Sequence, residues 1–144
     1  MFKKDYTFGL KKEVELLPTI RTFFNDETIK QLDRLNVFDY KGDNKYIELK
    51  SRNNSYNKYP TTMIGYNKIK KAWELNEDVY FIFNFTDGIY YYKFDKDKEL
   101  EIKQGGRRDR GRPEIKDYYF IPIEILQKNF LKYSKNFSYL LYKS

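Results

Sequence analysis

The chain contains no cysteine and no histidine. The first absence excludes disulfides, thiol catalysis and cysteine-ligated zinc, and the second removes the usual general base and the commonest transition-metal ligand. Any active site must therefore run on carboxylates, lysine and hard cations. No apolar run approaches the roughly 18 residues of a membrane span. The opening Met1-Phe2-Lys3-Lys4-Asp5-Tyr6 lacks the apolar core of a secretory signal. Together these predict a soluble, intracellular protein with no membrane partner.

What is present is positive charge and aromatic surface. Lysine and arginine number 28 against 21 acids, for a net charge of +7. That balance favours a polyanionic partner. Lys, Asn, Ile, Tyr and Phe dominate the composition, a bias that an A/T-rich genome produces without selection, so the arginines carry more information than the lysines. Four of the seven arginines fall between Arg107 and Arg112. A length of 144 residues fits one domain, 1–144, with a real core.

The segment Val37 to Lys50 reads as a hairpin, with strands over 35–41 and 45–51. Gly42-Asp43 supplies a two-residue loop, so Lys41 should face Asn44 and Asp39 should face Tyr46. Side-chain alternation then sends Asp39, Tyr46, Glu48 and Lys50 to one face and Tyr40, Ile47 and Leu49 to the other. Asp39 and Glu48 become diagonal neighbours, roughly 7–8 Å apart at the base and within reach of a shared ion. The plainer alternative is a solvent-facing hairpin with ordinary surface charges.

An Asp followed by Glu-X-Lys on the adjacent strand, here Asp39 and Glu48-Leu49-Lys50, resembles the active-site signature of the PD-(D/E)XK nuclease superfamily. The residue before Asp39 is Phe38 where the signature has proline, a departure that touches no metal ligand. The resemblance covers roughly residues 9–94. It implies an αβββαβ core and metal-dependent hydrolysis of DNA, most simply by an endonuclease leaving a 5′-phosphate.

Upstream, Leu10, Glu13, Leu17, Ile20 and Phe24 repeat at helical spacing, so Glu13 interrupts an apolar stripe while Glu15 faces solvent. On periodicity alone Glu13 is equally an edge acid bridged to a lysine. The superfamily resemblance implies a first-helix Glu directed at the metal site. Pro18 should kink or divide this helix near Leu17. Asn25 or Asp26 could cap a short helix over Thr28 to Leu32.

Downstream of the hairpin, a polar loop over 51–60 carries Arg52, Tyr56, Lys58 and Tyr59, a set suited to phosphate pairing and base stacking, or else to a plain surface loop. Thr61 or Thr62 could cap a helix to about Asn76, burying Met63, Tyr66, Ile69 and Trp73. Lys68 on that helix is the candidate that the resemblance implies for the site or the DNA backbone. Val79 to Phe85 reads as a central strand buried on both faces, turning at Asp87-Gly88 into a second hairpin over Ile89 to Phe94.

The basic stretch from Lys103 to Pro113 has nothing apolar to bury. Arg107, Arg108, Arg110 and Arg112 offer planar forks for phosphate, although a run of charge can also simply be solvated. Tyr118 to Ile121 reads as a last strand. Pro122 should open a closing helix with Leu126, Phe130, Tyr133 and Phe137 on one face.

The expected fold is α/β, a restriction-endonuclease-like mixed sheet flanked by helices with a basic loop insertion. By the resemblance, Asp39 and Glu48, with Glu13 and the Leu49 carbonyl, would ligate Mg2+ or Mn2+. Lys50 would serve the attacking water and the transition-state charge. The nucleic-acid contacts would be Arg52, Lys58, Tyr59, Lys68 and the four clustered arginines. DNA is the expected partner and RNA is not excluded. A homodimer stays open, as does a catalytically inactive nucleic-acid-binding module on the same fold.

Overall fold

The computed structural model describes residues 3–105 and 116–128, with side chains from Phe8 onward. The element order is α1 (Lys3–Phe24), β1 (Lys30–Gln31), β2 (Tyr40–Gly42), β3 (Lys45–Ser51), β4 (Thr61–Gly65), α2 (Tyr66–Glu74), β5 (Asp78–Phe85), β6 (Gly88–Lys93), β7 (Glu101–Gly105), β8 (Lys116–Pro122), a single 3-10 turn (Ile123–Ile125) and β9 (Gln127–Lys128). This is a mixed α/β architecture. The larger sheet has six strands in the order β1-β2-β3-β5-β6-β9, and a smaller one runs β4-β8-β7. All strand pairs are antiparallel except β3 and β5, which lie parallel at the centre.

Strict alternation along the central strands explains the layering. On one face of the large sheet Ile47, Leu49 and Ile82 pack beneath Ile20, Leu16 and Phe24 of α1. On the other, Val79, Phe81, Phe83 and Phe85 of β5 and Tyr90 and Tyr92 of β6 meet Ile69 and Ala72 of α2 and Ile64, Tyr119 and Ile121 of the small sheet. The run over 79–85 is the predicted central strand, and it joins β6 through a two-residue turn at Thr86-Asp87, one step before the expected Asp87-Gly88. Glu15 is exposed and Glu13 half-buried, as the helical stripe requires. Pro18 does not divide α1, which runs through it.

Several expectations are corrected. The hairpin loop is Asp43-Asn44, with Gly42 facing Lys45 and Tyr40 facing Ile47. Asn44 takes the positive φ of the turn, at 56°. Gly42 is needed for a close approach instead: a Cβ there would lie 2.6 Å from both Asp26 Oδ2 and Ile29 Cγ1. The register shift moves each partner by two residues, so the faces are those expected. Asp39 now lies one step before β2, level with Glu48. Residues 35–39 are not strand.

No helix forms over Thr28 to Leu32, where β1 pairs with β2. Asp26 sets this course, accepting from the Thr28 N–H at 2.8 Å, the Asp43 N–H at 3.0 Å and Lys45 Nζ at 2.9 Å. Those bonds tie the end of α1 to the hairpin turn in place of a helix cap.

Thr61 to Gly65 is a strand of the small sheet, and the helix begins only at Tyr66. Trp73 is 42% exposed, lying edge-on to Phe94 at 5.4 Å. Two β-branched residues ahead of Met63-Ile64 favour the strand, and β8 supplies its partner. Pro122 ends β8 and leads to one 3-10 turn and β9, so no helix opens there. Leu126 is nonetheless buried. Phe130, Tyr133 and Phe137, like Arg107, Arg108, Arg110 and Arg112, lie outside the described residues. Among the described residues no helix is long and apolar enough to cross a membrane.

Candidate active site

An acid in the middle of an aromatic layer defines the site. Alternation along β3 puts Glu48 on the same face as Tyr46, in register with Phe81 of β5, and leaves its side chain 2% exposed. Glu48 Oε2 lies 3.4 Å from Lys50 Nζ and 3.3 Å from Lys68 Nζ. Glu48 Oε1 is buried with no hydrogen-bond partner. The Lys68 ammonium also donates to the Val37 carbonyl, so α2 is pinned both to Glu48 and to the segment that leads into Asp39.

Asp39 is held by the sheet itself. Its N–H donates to the Ile47 carbonyl at 3.1 Å, its carbonyl accepts from Leu32 N–H at 2.8 Å, and its Oδ2 accepts from Leu49 N–H at 2.7 Å. The carboxylate thus occupies the place of a ladder acceptor where β2 has not yet begun. Glu13 reaches the same region from α1. Its Oε1 accepts from Gln31 Nε2 at 3.3 Å, and the buried Tyr40 hydroxyl donates to its backbone carbonyl at 2.6 Å, fixing that turn of the helix over the hairpin. The Glu13 charge acts on the Asp39 carboxyl and disfavours a second negative charge there.

Three acids so placed repel one another. Burial pushes the Asp39 carboxyl up to about 6, and the Glu13 charge adds to the effect. Burial pushes Glu48 up to about 7, with the Asp39 charge adding to it. Two ammonium groups within 3.4 Å would ordinarily pull Glu48 down. Here they offset only part of the hydration lost by a fully enclosed carboxylate. Glu13 is raised by burial and by the Glu48 charge, against the Gln31 hydrogen bond that lowers it.

These groups line one cleft of about 560 Å3, together with Arg34, Ser51 and Asn53. Among the described residues no three acidic side chains are gathered into a cage able to hold an ion unaided. The donors nevertheless fit a hard divalent cation. Such ions as Mg2+ are characteristically held by one or two carboxylates, with waters and substrate phosphate completing the shell. An orphaned buried carboxylate oxygen beside a second acid is the donor set that chemistry requires.

Glu13, Asp39, Glu48, Lys50 and Lys68 therefore converge. Other residues marked in the sequence do not. Arg52 leaves β3 and turns inward, donating from Nη2 to the Met63 carbonyl at 2.6 Å with its guanidinium 5.8 Å from the Phe83 ring centre, while it still lines the cleft. Lys58 and Tyr59 are exposed and pack on each other, 5.6 Å from ammonium to ring, without lining the cleft. Tyr56 is structural, stacked on Tyr90 at 4.0 Å. Gln31 and Arg34 also line the cleft. No local pattern distinguishes them, since both gain their positions from the course that Asp26 imposes after α1.

The family model described as "Phage putative PDDEXK endonuclease" matches residues 21–130, about three quarters of the chain. The matched range holds Asp39, Glu48, Lys50 and Lys68, and Glu13 lies before it. No curated protein and no solved structure matches the chain.

Proposed function

The chain belongs to the phage PD-(D/E)XK endonuclease family, and from that premise we propose that it is a metal-dependent endonuclease hydrolysing phosphodiester bonds of DNA. The order α1-β2-β3-α2-β5-β6, with β3 and β5 parallel at the centre, supports the restriction-endonuclease-like core. One observation carries the catalytic reading: Glu48 is buried, one of its oxygens has no partner, and it shares a cleft with Asp39 and Lys50. A buried carboxylate oxygen without a partner is costly, and a bound cation would relieve it.

Asp39 and Glu48, with the Leu49 carbonyl and Glu13, would hold Mg2+ or Mn2+. Such an ion, when bound, lowers the pKa of water and neutralises phosphate charge. The chain supplies the rest. Leu49 N–H fixes the Asp39 carboxylate, leaving its other oxygen for the ligand role. Lys68 and Lys50 both hold Glu48 Oε2, which leaves Oε1 as the oxygen without a partner. Lys50, whose side chain is 35% exposed, can hold the attacking water by a hydrogen bond and offset the negative charge that builds on the phosphoryl oxygens. Arg107, Arg108, Arg110 and Arg112 remain proposed phosphate contacts on their chemistry alone.

Incubation with supercoiled plasmid and Mg2+ tests the reading. Nicked or linear product that disappears with EDTA supports it, and intact plasmid across divalent ions refutes it.

A further inference from the structure

A second hollow, of about 400 Å3, adjoins the cleft and lies between the loop after β3 and the small sheet. Arg52 lines both. Its guanidinium spends one donor on Met63, and among the described residues no carboxylate is in ion-pair range. A guanidinium carries five donors. Several therefore remain for something that enters from outside. Lys50 and Arg52 are two residues apart, a span of at most about 7 Å.

The walls have the chemistry of a base. Tyr56 is immobilised, parallel to Tyr90 at 4.0 Å and 7°, edge-on to Phe85 at 5.9 Å, with its hydroxyl donating to the Ile123 carbonyl at 2.7 Å. Tyr59, 53% exposed, is the aromatic rim. Thr61 and Thr62 are neighbours on β4, whose side chains alternate, so one threonine hydroxyl can face the hollow. The volume falls within the roughly 300–1,000 Å3 of pockets that enclose small ligands.

We infer that this hollow receives one unpaired base of the strand whose backbone crosses the cleft. The inference rests on the nuclease reading and narrows its substrate class. A base in a continuous duplex has both faces stacked and its edge paired, so it cannot enter without being extruded. A bulge, gap, flap or branch next to the scissile phosphate presents such a base already free. Tyr56 and Tyr59 offer ring faces and edges, Arg52 and a threonine hydroxyl offer polar partners, and sequence preference should be weak because every base has a π face.

The test uses two short duplexes of one sequence, fully paired or carrying a single bulged 2-aminopurine, without divalent cation and at one fixed salt concentration. The protein should bind the bulged duplex roughly tenfold more tightly and quench the 2-aminopurine, as one base-aromatic stack warrants. Tyr59→Ala opens the exposed rim and Thr61→Tyr fills the hollow from an edge strand. In each, the ratio of the two affinities should fall toward one and the quenching should be lost. Equal affinities in the unmodified protein, or a ratio untouched in both variants, would overturn the pocket while leaving the nuclease reading standing. Binding of neither duplex would overturn the pocket, and the plasmid assay decides the nuclease reading separately.

Discussion

Glu48 and Lys68 meet at 3.3 Å across the gap between the central sheet and α2. With Lys50 at 3.4 Å on the same oxygen, the contact leaves Glu48 Oε1 as the unpartnered end of a buried carboxylate. The lysine thereby orients the acid and lowers its affinity for protons. In Lys68→Met the first effect should loosen the site and the second should raise the Glu48 pKa further. We expect cleavage at neutral pH to fall at least tenfold and the acidic limb of the pH–rate profile to move to higher pH. A loss of rate with an unmoved limb would show that Lys68 serves packing alone.

The acids themselves make cation-free stability depend on pH. Asp39 is pushed to about 6 and Glu48 to about 7, both above their unfolded values of 3.8 and 4.5. The folded state thus binds more protons than the unfolded state through that window, so stability falls as pH rises from about 4 to about 8 and levels above it. Melting temperatures in EDTA should drop between about pH 5 and pH 8, and saturating Mg2+ should restore most of the difference by binding the folded state. A melting temperature flat with pH in EDTA would contradict the assigned shifts.

Asp39 has two separable roles. Its Oδ2 accepts from Leu49 N–H, which an amide oxygen can also do, whereas ligation requires charge. Asp39→Asn should keep the melting temperature within a few degrees while reducing cleavage at least a hundredfold. Asp39→Ala should also cost about 1–3 kcal/mol of stability, because the Leu49 N–H loses its acceptor. Thermal and chemical denaturation of the two variants separate these effects.

Gly42 tests the join between α1 and the hairpin. A Cβ there would meet Asp26 Oδ2 and Ile29 Cγ1 at 2.6 Å, and Ile29 is fully buried. Gly42→Ala should therefore destabilise by roughly 1–3 kcal/mol through overpacking. An unchanged urea midpoint would mean that the segment after α1 yields freely.

The parts of the fold legible in the sequence were those set by local pattern. The continuous apolar run over 79–85 defines the central strand, and the Asp87-Gly88 signal places its hairpin to within one residue of the observed Thr86-Asp87 turn. Alternation also assigns Glu48 and Lys50 to one face, and that assignment survives the misread turn because the register slips by two residues and not one. What was not legible depends on distant partners. Thr61 to Gly65 also fits a helical stripe, and only β8, more than fifty residues on, makes it a strand. Arg52 has the composition of a phosphate contact, but the Met63 carbonyl and the Phe83 ring draw it inward. Nor does the sequence show that Asp39 completes the ladder at Leu49, a bond between residues ten apart.

The central claim is that Asp39 and Glu48 hold one divalent ion between them. Anomalous scattering from crystals soaked in Mn2+ tests it most directly. The expected result is a peak within about 2.0–2.3 Å of Glu48 Oε1 and of an Asp39 carboxylate oxygen. Strong manganese peaks elsewhere with none in this cleft, at a concentration that supports DNA cleavage, would contradict it.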